Sequence, residues 1–172
     1  MNIFLVGLPA SGKTTLGKKL ARLLDFEFLD TDDLIKKRER VSIEDIFDKR
    51  GESAFRLLEK EVLDSLMGSK NKVISTGGGL PCFHDNMGRM NELGTTIFLN
   101  VPIVDLHKRL GHDGKENRPL TRGKNDQELL EFLEKKYQER SPFYNQAKII
   151  LQGNKIDVDQ IMAALNSKSS AK

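Results

Sequence analysis

The sequence contains no tryptophan, a single cysteine and very little charge imbalance. The one cysteine, Cys82, cannot close an internal disulfide. A disulfide-stapled scaffold is therefore excluded, and a reducing compartment is expected. Cys82 itself reads as a small buried filler. No apolar run approaches the roughly 20 residues that cross a bilayer, so no membrane partner is expected. Met1-Asn2 leads straight into an apolar strand with no targeting pattern, which makes the cytoplasm the expected setting. The net charge is only +3, and Arg56, Arg109, Arg118, Arg122 and Arg140 are scattered rather than gathered into a stripe. That spacing speaks against a nucleic-acid partner and suits a small anionic substrate.

What is present is the composition of a globular chain, 38% apolar and 31% charged over 172 residues. This is enough for one domain, residues 1–172, with a real core, and a monomer is expected. No internal repeat is visible. Short apolar runs alternate with longer helical patterns. The candidate strands are Asn2–Val6, Glu27–Asp30, Lys72–Ser75, Thr95–Asn100 and Lys148–Gln152. Helical stripes are Leu16, Leu20, Leu23 and Leu24, then Phe55, Leu58, Val62 and Leu66, then Leu129, Leu130, Leu133 and Tyr137. Strand–helix repetition with near-continuous apolar strands predicts an α/β fold, a parallel sheet covered on both faces. Two stretches break the rhythm: Gly77-Gly78-Gly79 directly after a strand, and the polar loop GHDGKENRPLTRGKN at 111–125. An unpatterned loop of this length suggests function or disorder. The tail Ser167–Lys172 is expected to fray.

Residues 7–15, GLPASGKTT, follow the first strand and open a helical stripe. They fit G-x-x-x-x-G-K-[ST], a phosphate-binding loop in the required strand–loop–helix context. Gly7 and Gly12 keep Cβ atoms out of the way of a phosphate wrapped by backbone N–H groups. The helix start, with Ser11, Gly12 and Thr15 around it, adds free N–H groups and a positive dipole end. Lys13 brings a cation to the β- and γ-phosphates, and the Thr14 hydroxyl can ligate Mg²⁺. A GTP-binding switch is the rival from another class. Asp48-Lys49-Arg50-Gly51, Asn154-Lys155-Ile156-Asp157 and Ser170-Ala171-Lys172 each imitate a guanine-nucleotide motif. Asp48, however, falls in the helical stretch Ser42–Arg50, and Ser170–Lys172 is the chain end.

Phe28-Leu29-Asp30-Thr31-Asp32-Asp33 places carboxylates at the carboxyl end of the second strand, the edge where such sheets bind ligands. One carboxylate can hold Mg²⁺ through water and another can deprotonate an attacking hydroxyl. Capping of a helix by Thr31 or Asp32 is the plain alternative, and both readings stay open on the residues alone. Arg56 lies three residues before Glu59 on a helix, a spacing that can hold its guanidinium. Arg140 follows the helical stripe Leu129–Tyr137. The glycine triplet is either a plain turn or a close backbone approach to a ligand.

Taken in order, the phosphate loop, Asp30-Thr31-Asp32, Phe55-Arg56, Gly77-Gly78-Gly79, Arg118-Pro119-Leu120 and Arg140-Ser141-Pro142-Phe143-Tyr144 resemble the shikimate kinase family over about residues 1–155. The resemblance implies a P-loop kinase of the nucleoside-monophosphate-kinase type: a five-stranded parallel sheet flanked by helices, an acceptor-binding segment near 31–62 and a lid near 111–125. It implies transfer of the ATP γ-phosphoryl group to the 3-hydroxyl of shikimate. In that frame Gly7, Ala10, Ser11, Gly12, Lys13, Thr14 and Thr15 hold the phosphates, and Thr14 and Asp30 serve Mg²⁺. Asp32 binds the ring hydroxyls and acts as base. Arg56, Arg140 and Gly77–Gly79 take the carboxylate. Lys13 and Arg118 neutralise the transferring group, and Arg109 and Asn154 lie by the adenine. Two residues depart from the family pattern: Ala10 stands where glycine is common, and Thr121 follows Arg-Pro-Leu. Another small-molecule kinase of the same fold, such as a gluconate kinase, is the nearest alternative.

Overall fold

The computed structural model describes residues 1–112 and 124–169. Its centre is β1 (Asn2–Val6), whose Ile3, Phe4, Leu5 and Val6 are completely buried. A strand with no polar side chain along this run must be covered on both faces. It lies between β3 (Lys72–Ser75) and β4 (Gly94–Asn100), with β2 (Glu27–Asp30) and β5 (Ile149–Gln152) at the edges, in the order β2-β3-β1-β4-β5. Every pairing is parallel. The edge strands show the weaker burial of a half-covered position, and Ile150 of β5 is exposed.

Alternate residues of the strands feed two cores. Phe4, Val6, Ile74 and Phe98 point to one face, where they meet α3 (Ile43–Ser65), α4 (Asn86–Leu93) and α6 (Asp126–Tyr144). Ile3, Leu5, Val73, Ile97 and Leu99 point to the other, against α1 (Lys13–Leu24) and α7 (Val158–Ser169). This is the two-residue period of a strand read in side chains. A third, smaller cluster of Ile35, Ile46, Phe55, Leu58 and Val62 joins α2 (Thr31–Glu39) to α3. The remaining helix, α5 (Ile103–His112), packs against α6.

The structure corrects several sequence expectations. Leu23 is exposed: the buried face of α1 is Leu16, Gly17, Leu20 and Ala21, which is centred away from position 23 and leaves it at the edge. The helical stretch Ser42–Arg50 and the Phe55–Leu66 stripe follow each other in α3 as two helical segments that meet in a kink at Gly51, whose φ of 78° lies outside the helical region. β4 begins one residue earlier, at Gly94, and β5 one residue later, at Ile149. Arg140 does not follow α6 but lies within it. The polar run Gln138–Ser141 hides the continuation, which ends only after Tyr144 brings apolar surface back to the sheet. Cys82 is half-buried rather than buried. The helix cap before α2 is Asp30, whose side chain accepts from the Asp32 N–H, not Thr31 or Asp32. The tail is helical through Ser169, with the Ser167 hydroxyl bonded to the Ala163 carbonyl. Among the described residues, no helix is long and apolar enough to cross a membrane.

Gly94 shows how closely the sheet is built. A Cβ there would fall well inside contact distance of the Asn2 carbonyl on the paired strand, and neither strand backbone can yield cheaply. Gly94→Ala is expected to destabilise the fold by about 1–3 kcal/mol despite the gain in chain stiffness, read as a lower denaturant midpoint at unchanged slope.

Candidate active site

β1 is followed by α1 on one face of the sheet, whereas its neighbour β3 is followed by α4 on the other. Loops leaving adjacent parallel strands in opposite directions open a crevice at their carboxyl ends. A cleft of about 2280 Å³ occupies that edge. It is lined by the phosphate loop from Ala10 to Thr15, by Asp30 and Asp32, by Arg56, by Gly77–Gly79, and by Arg109 and Arg140. Residues 113–123, including Arg118, Thr121, Arg122 and most of the expected lid, lie outside the described residues, as do Ser170–Lys172.

The phosphate loop follows from three residues with positive φ: Gly7 (147°), Ala10 (62°) and Gly12 (96°). Ala10 therefore adopts a left-handed conformation that glycine takes without penalty and alanine takes at a cost of roughly 1 kcal/mol. Its carbonyl accepts from Arg109 Nη1 at 3.1 Å. Gly12 starts α1 with no side-chain cap, so the first helical N–H groups face the cleft unoccupied by a capping oxygen. Lys13 Nζ folds back over the loop and donates to the carbonyls of Gly7 and Leu8 at 2.9 and 2.8 Å. Arg109 also donates to the carbonyl of Asn154, so this arginine bridges the phosphate loop and the loop after β5.

Thr14 donates to Asp30 Oδ2 at 3.1 Å and lies 3.3 Å from the Ser75 hydroxyl. Three small oxygen-bearing side chains beside the phosphate loop suit a hard cation that keeps several waters, as Mg²⁺ does. Ser75 went unnoticed in the sequence. The signal that finds it is register: Asp30 and Ser75 are paired last residues of β2 and β3.

The acceptor end is organised around the glycine triplet. A Cβ on Gly77 would sit 2.5 Å from Asp32 Oδ1, and one on Gly78 would sit 2.8 Å from Arg140 Nη1. One on Gly79 would collide with the Arg56 guanidinium. Each glycine is thus the floor beneath one charged side chain. The Gly77 N–H donates to Thr31 Oγ1 at 2.8 Å, tying this floor to the start of α2. Arg56 is held from below by Glu59 at 2.7 Å and from the side by Glu52 at 2.7 Å, and its guanidinium covers the Phe83 ring at 4.3 Å. Burial alone would lower its pKa; the two glutamates reverse this and keep it a cation. Burial pushes the Glu59 carboxyl above the usual range, with Arg56 acting against that rise.

Asp32 is the carboxylate aimed into the cleft. Its Oδ1 is buried and has no hydrogen-bond partner among the described residues. Burial and then the neighbouring Asp30 raise its pKa to about 6, while Lys13 and Lys36 pull it down. Asp33 on the same turn points out to solvent and pairs with Lys36 at 2.6 Å. Lys36 and Phe83 were missed in the sequence. Lys36 was legible as the i+4 neighbour of Asp32; nothing in the sequence marks Phe83.

The imitation of a guanine site comes apart in the structure. Asp48 lies within α3 rather than at a strand end. Asp157 exchanges side-chain and backbone bonds with Gln160, so its carboxylate caps α7 instead of standing free for a base.

The shikimate kinase family profile matches residues 9–168. A shikimate kinase of Bacteroides fragilis is 46% identical over 157 residues, covering 91% of this chain and 87% of its own. The crystal structure of shikimate kinase from Bacteroides thetaiotaomicron superposes with a TM-score of 0.88 at 42% identity, covering 99% of this chain and 97% of that one. Shikimate kinase from Acinetobacter baumannii in complex with shikimate superposes with a TM-score of 0.85 at 35% identity, covering 99% and 94%. The sheet and its flanking helices are therefore the P-loop kinase fold, and the chain belongs to the shikimate kinase family.

Proposed function

We propose that the chain transfers the γ-phosphoryl group of ATP to the 3-hydroxyl of shikimate. The observation that carries this reading is the glycine floor. It sets one ionisable carboxylate and two arginines side by side, next to a phosphate-binding loop and in the same cleft. Arg56 and Arg140 converge as bidentate donors for a substrate carboxylate. Asp32, on the adjacent glycine, faces the ring hydroxyls with an unsatisfied oxygen and accepts the proton as the hydroxyl attacks phosphorus. Lys13 leaves the carbonyls of its own loop for the phosphate oxygens. Arg118 is assigned the neutralisation of the moving phosphoryl group by family resemblance. Thr14, Asp30 and Ser75 would hold Mg²⁺, which neutralises charge on the β- and γ-phosphates when bound. Arg109 and Asn154 frame the adenine end, and the acceptor segment near 31–62 with the lid near 111–125 completes a single kinase domain. Phosphoryl transfer needs positioning and charge stabilisation more than covalent chemistry, and these residues supply both.

ADP release measured with a panel of acceptors tests the reading. Release should require shikimate and should not occur with gluconate or nucleoside monophosphates; equal release without shikimate would overturn it. Asp32→Asn keeps the shape but removes the base. It should lower kcat by roughly 100-fold with ADP affinity unchanged, whereas Asp33→Asn should change kcat little.

The Asp32 pKa of about 6 adds a pH signature. The base works only when ionised. For shikimate, kcat/KM should therefore be flat above about pH 7 and fall about tenfold per unit well below 6. Because Lys36 holds that pKa down, Lys36→Met should move the midpoint upward. A midpoint unmoved in this variant would mean that another group controls the profile.

A further inference from the structure

Tyr144 closes α6 four residues after Arg140, and it is completely buried. Its ring packs against Phe98 of β4 at 5.0 Å between centroids. Its hydroxyl donates to the Gly78 carbonyl at 2.6 Å. Burial pushes the phenol above its ordinary pKa, so the group remains a neutral O–H donor throughout the working range. The chemistry of transfer does not by itself call for a phenol at the end of this motif, since phenylalanine would fill the same buried space against Phe98.

Gly78 is the point where the two halves of the site meet. The position of its absent Cβ lies 2.8 Å from Arg140 Nη1 and 3.5 Å from the Gly7 carbonyl, which in turn accepts from Lys13. Three successive glycines have little intrinsic preference for one set of dihedrals. A peptide within such a run can rotate, exchanging the directions of its C=O and N–H. The unit is planar and trans, so the Gly78 carbonyl and the Gly79 N–H point in opposite directions. A donor in the core that holds the carbonyl therefore fixes the N–H away from the core, on the side of the cleft.

We infer that Tyr144 is a positioning residue whose hydroxyl locks the Gly78–Gly79 peptide with its N–H turned toward the acceptor, between Arg56 and Arg140. This deepens the acceptor reading and rests on it. The lock explains why a phenol is buried behind the floor. It also gives the floor a fixed distance to the phosphate loop, on which in-line transfer depends.

The test is Tyr144→Phe, which keeps the ring and its contact with Phe98. The variant should lose roughly five- to tenfold in kcat/KM for shikimate while its ADP affinity stays within about twofold. Combined with Arg140→Lys, the losses should be non-additive, because both act on the same carboxylate subsite. The Gly79 amide of the variant should show microsecond–millisecond exchange in ¹⁵N relaxation dispersion, where the wild type shows none. An unchanged kcat/KM would overturn the inference. So would equal losses in shikimate and ADP affinity, additive losses in the double variant, or dispersion at Gly79 in the wild type. If the wild type fails to phosphorylate shikimate, the acceptor reading falls, while the Gly79 amide still reports on the lock.

Discussion

Three charged side chains lie where the Cβ atoms of residues 77, 78 and 79 would be, and the arrangement of the cleft depends on those bare positions. The carboxyl end of β3 is next to β1 and its phosphate loop, so whatever rests on this floor is brought beside the phosphates. Any side chain larger than hydrogen would lift Asp32, Arg140 or Arg56 away from the others. The sheet contributes by fixing the floor. Thr31 bonds the Gly77 N–H and Tyr144 the Gly78 carbonyl, so α2 and α6 both anchor to a segment that would otherwise be loose.

Charge is organised around the same floor. Two arginines brought together without counter-charge would repel each other and resist burial. Glu59, almost fully buried beneath Arg56, and Glu52 at its edge offset this before any substrate arrives. The outcome is a guanidinium whose direction is set by two acidic side chains and by aromatic rings, Phe83 nearest. Asp32 stands in the opposite condition. It is half-buried, with a buried oxygen that has no hydrogen-bond partner among the described residues, and burial together with the neighbouring Asp30 holds its pKa above the ordinary carboxylate value. A substrate hydroxyl would satisfy that oxygen, so the acid is prepared for the group it is proposed to deprotonate.

The donor half of the site was legible in the sequence because its parts are local. Gly7, Gly12, Lys13 and Thr14 lie within eight residues, and their spacing alone encodes the loop. The sheet was legible for a similar reason: Ile3–Val6 and Ile97–Leu99 are unbroken apolar runs, and only Gly94 and Lys148 at strand ends were misjudged. The acceptor half is assembled over long separations. Asp32 meets Gly77 from 45 residues away, and Arg140 meets Gly78 from 62, so no window of sequence contains the contact. Arg56–Glu59 could be anticipated as an i, i+3 pair. That Arg140 is helical could not, because polar residues mask the last turns of α6.

A physical asymmetry follows from this division. The phosphate loop takes its shape from backbone conformation and from a lysine bonded to its own carbonyls, so it can exist before the acceptor side is complete. The acceptor side has no such independence. α2 and the adjoining part of α3 share the small core of Ile35, Ile46, Phe55, Leu58 and Val62, apart from the two larger ones. That cluster carries Arg56 directly and sets where α2 presents Asp32. It is linked to the sheet by the chain running from β2 straight into α2, by Leu63 and Leu66 farther along the chain in the main core, and by Thr31 on Gly77, with Asp32 and Arg56 over the glycines. The site therefore joins a nucleotide cradle built into the sheet to an acceptor half carried by α2, α3 and α6, and the bare floor at the end of β3 is where the two are made to agree.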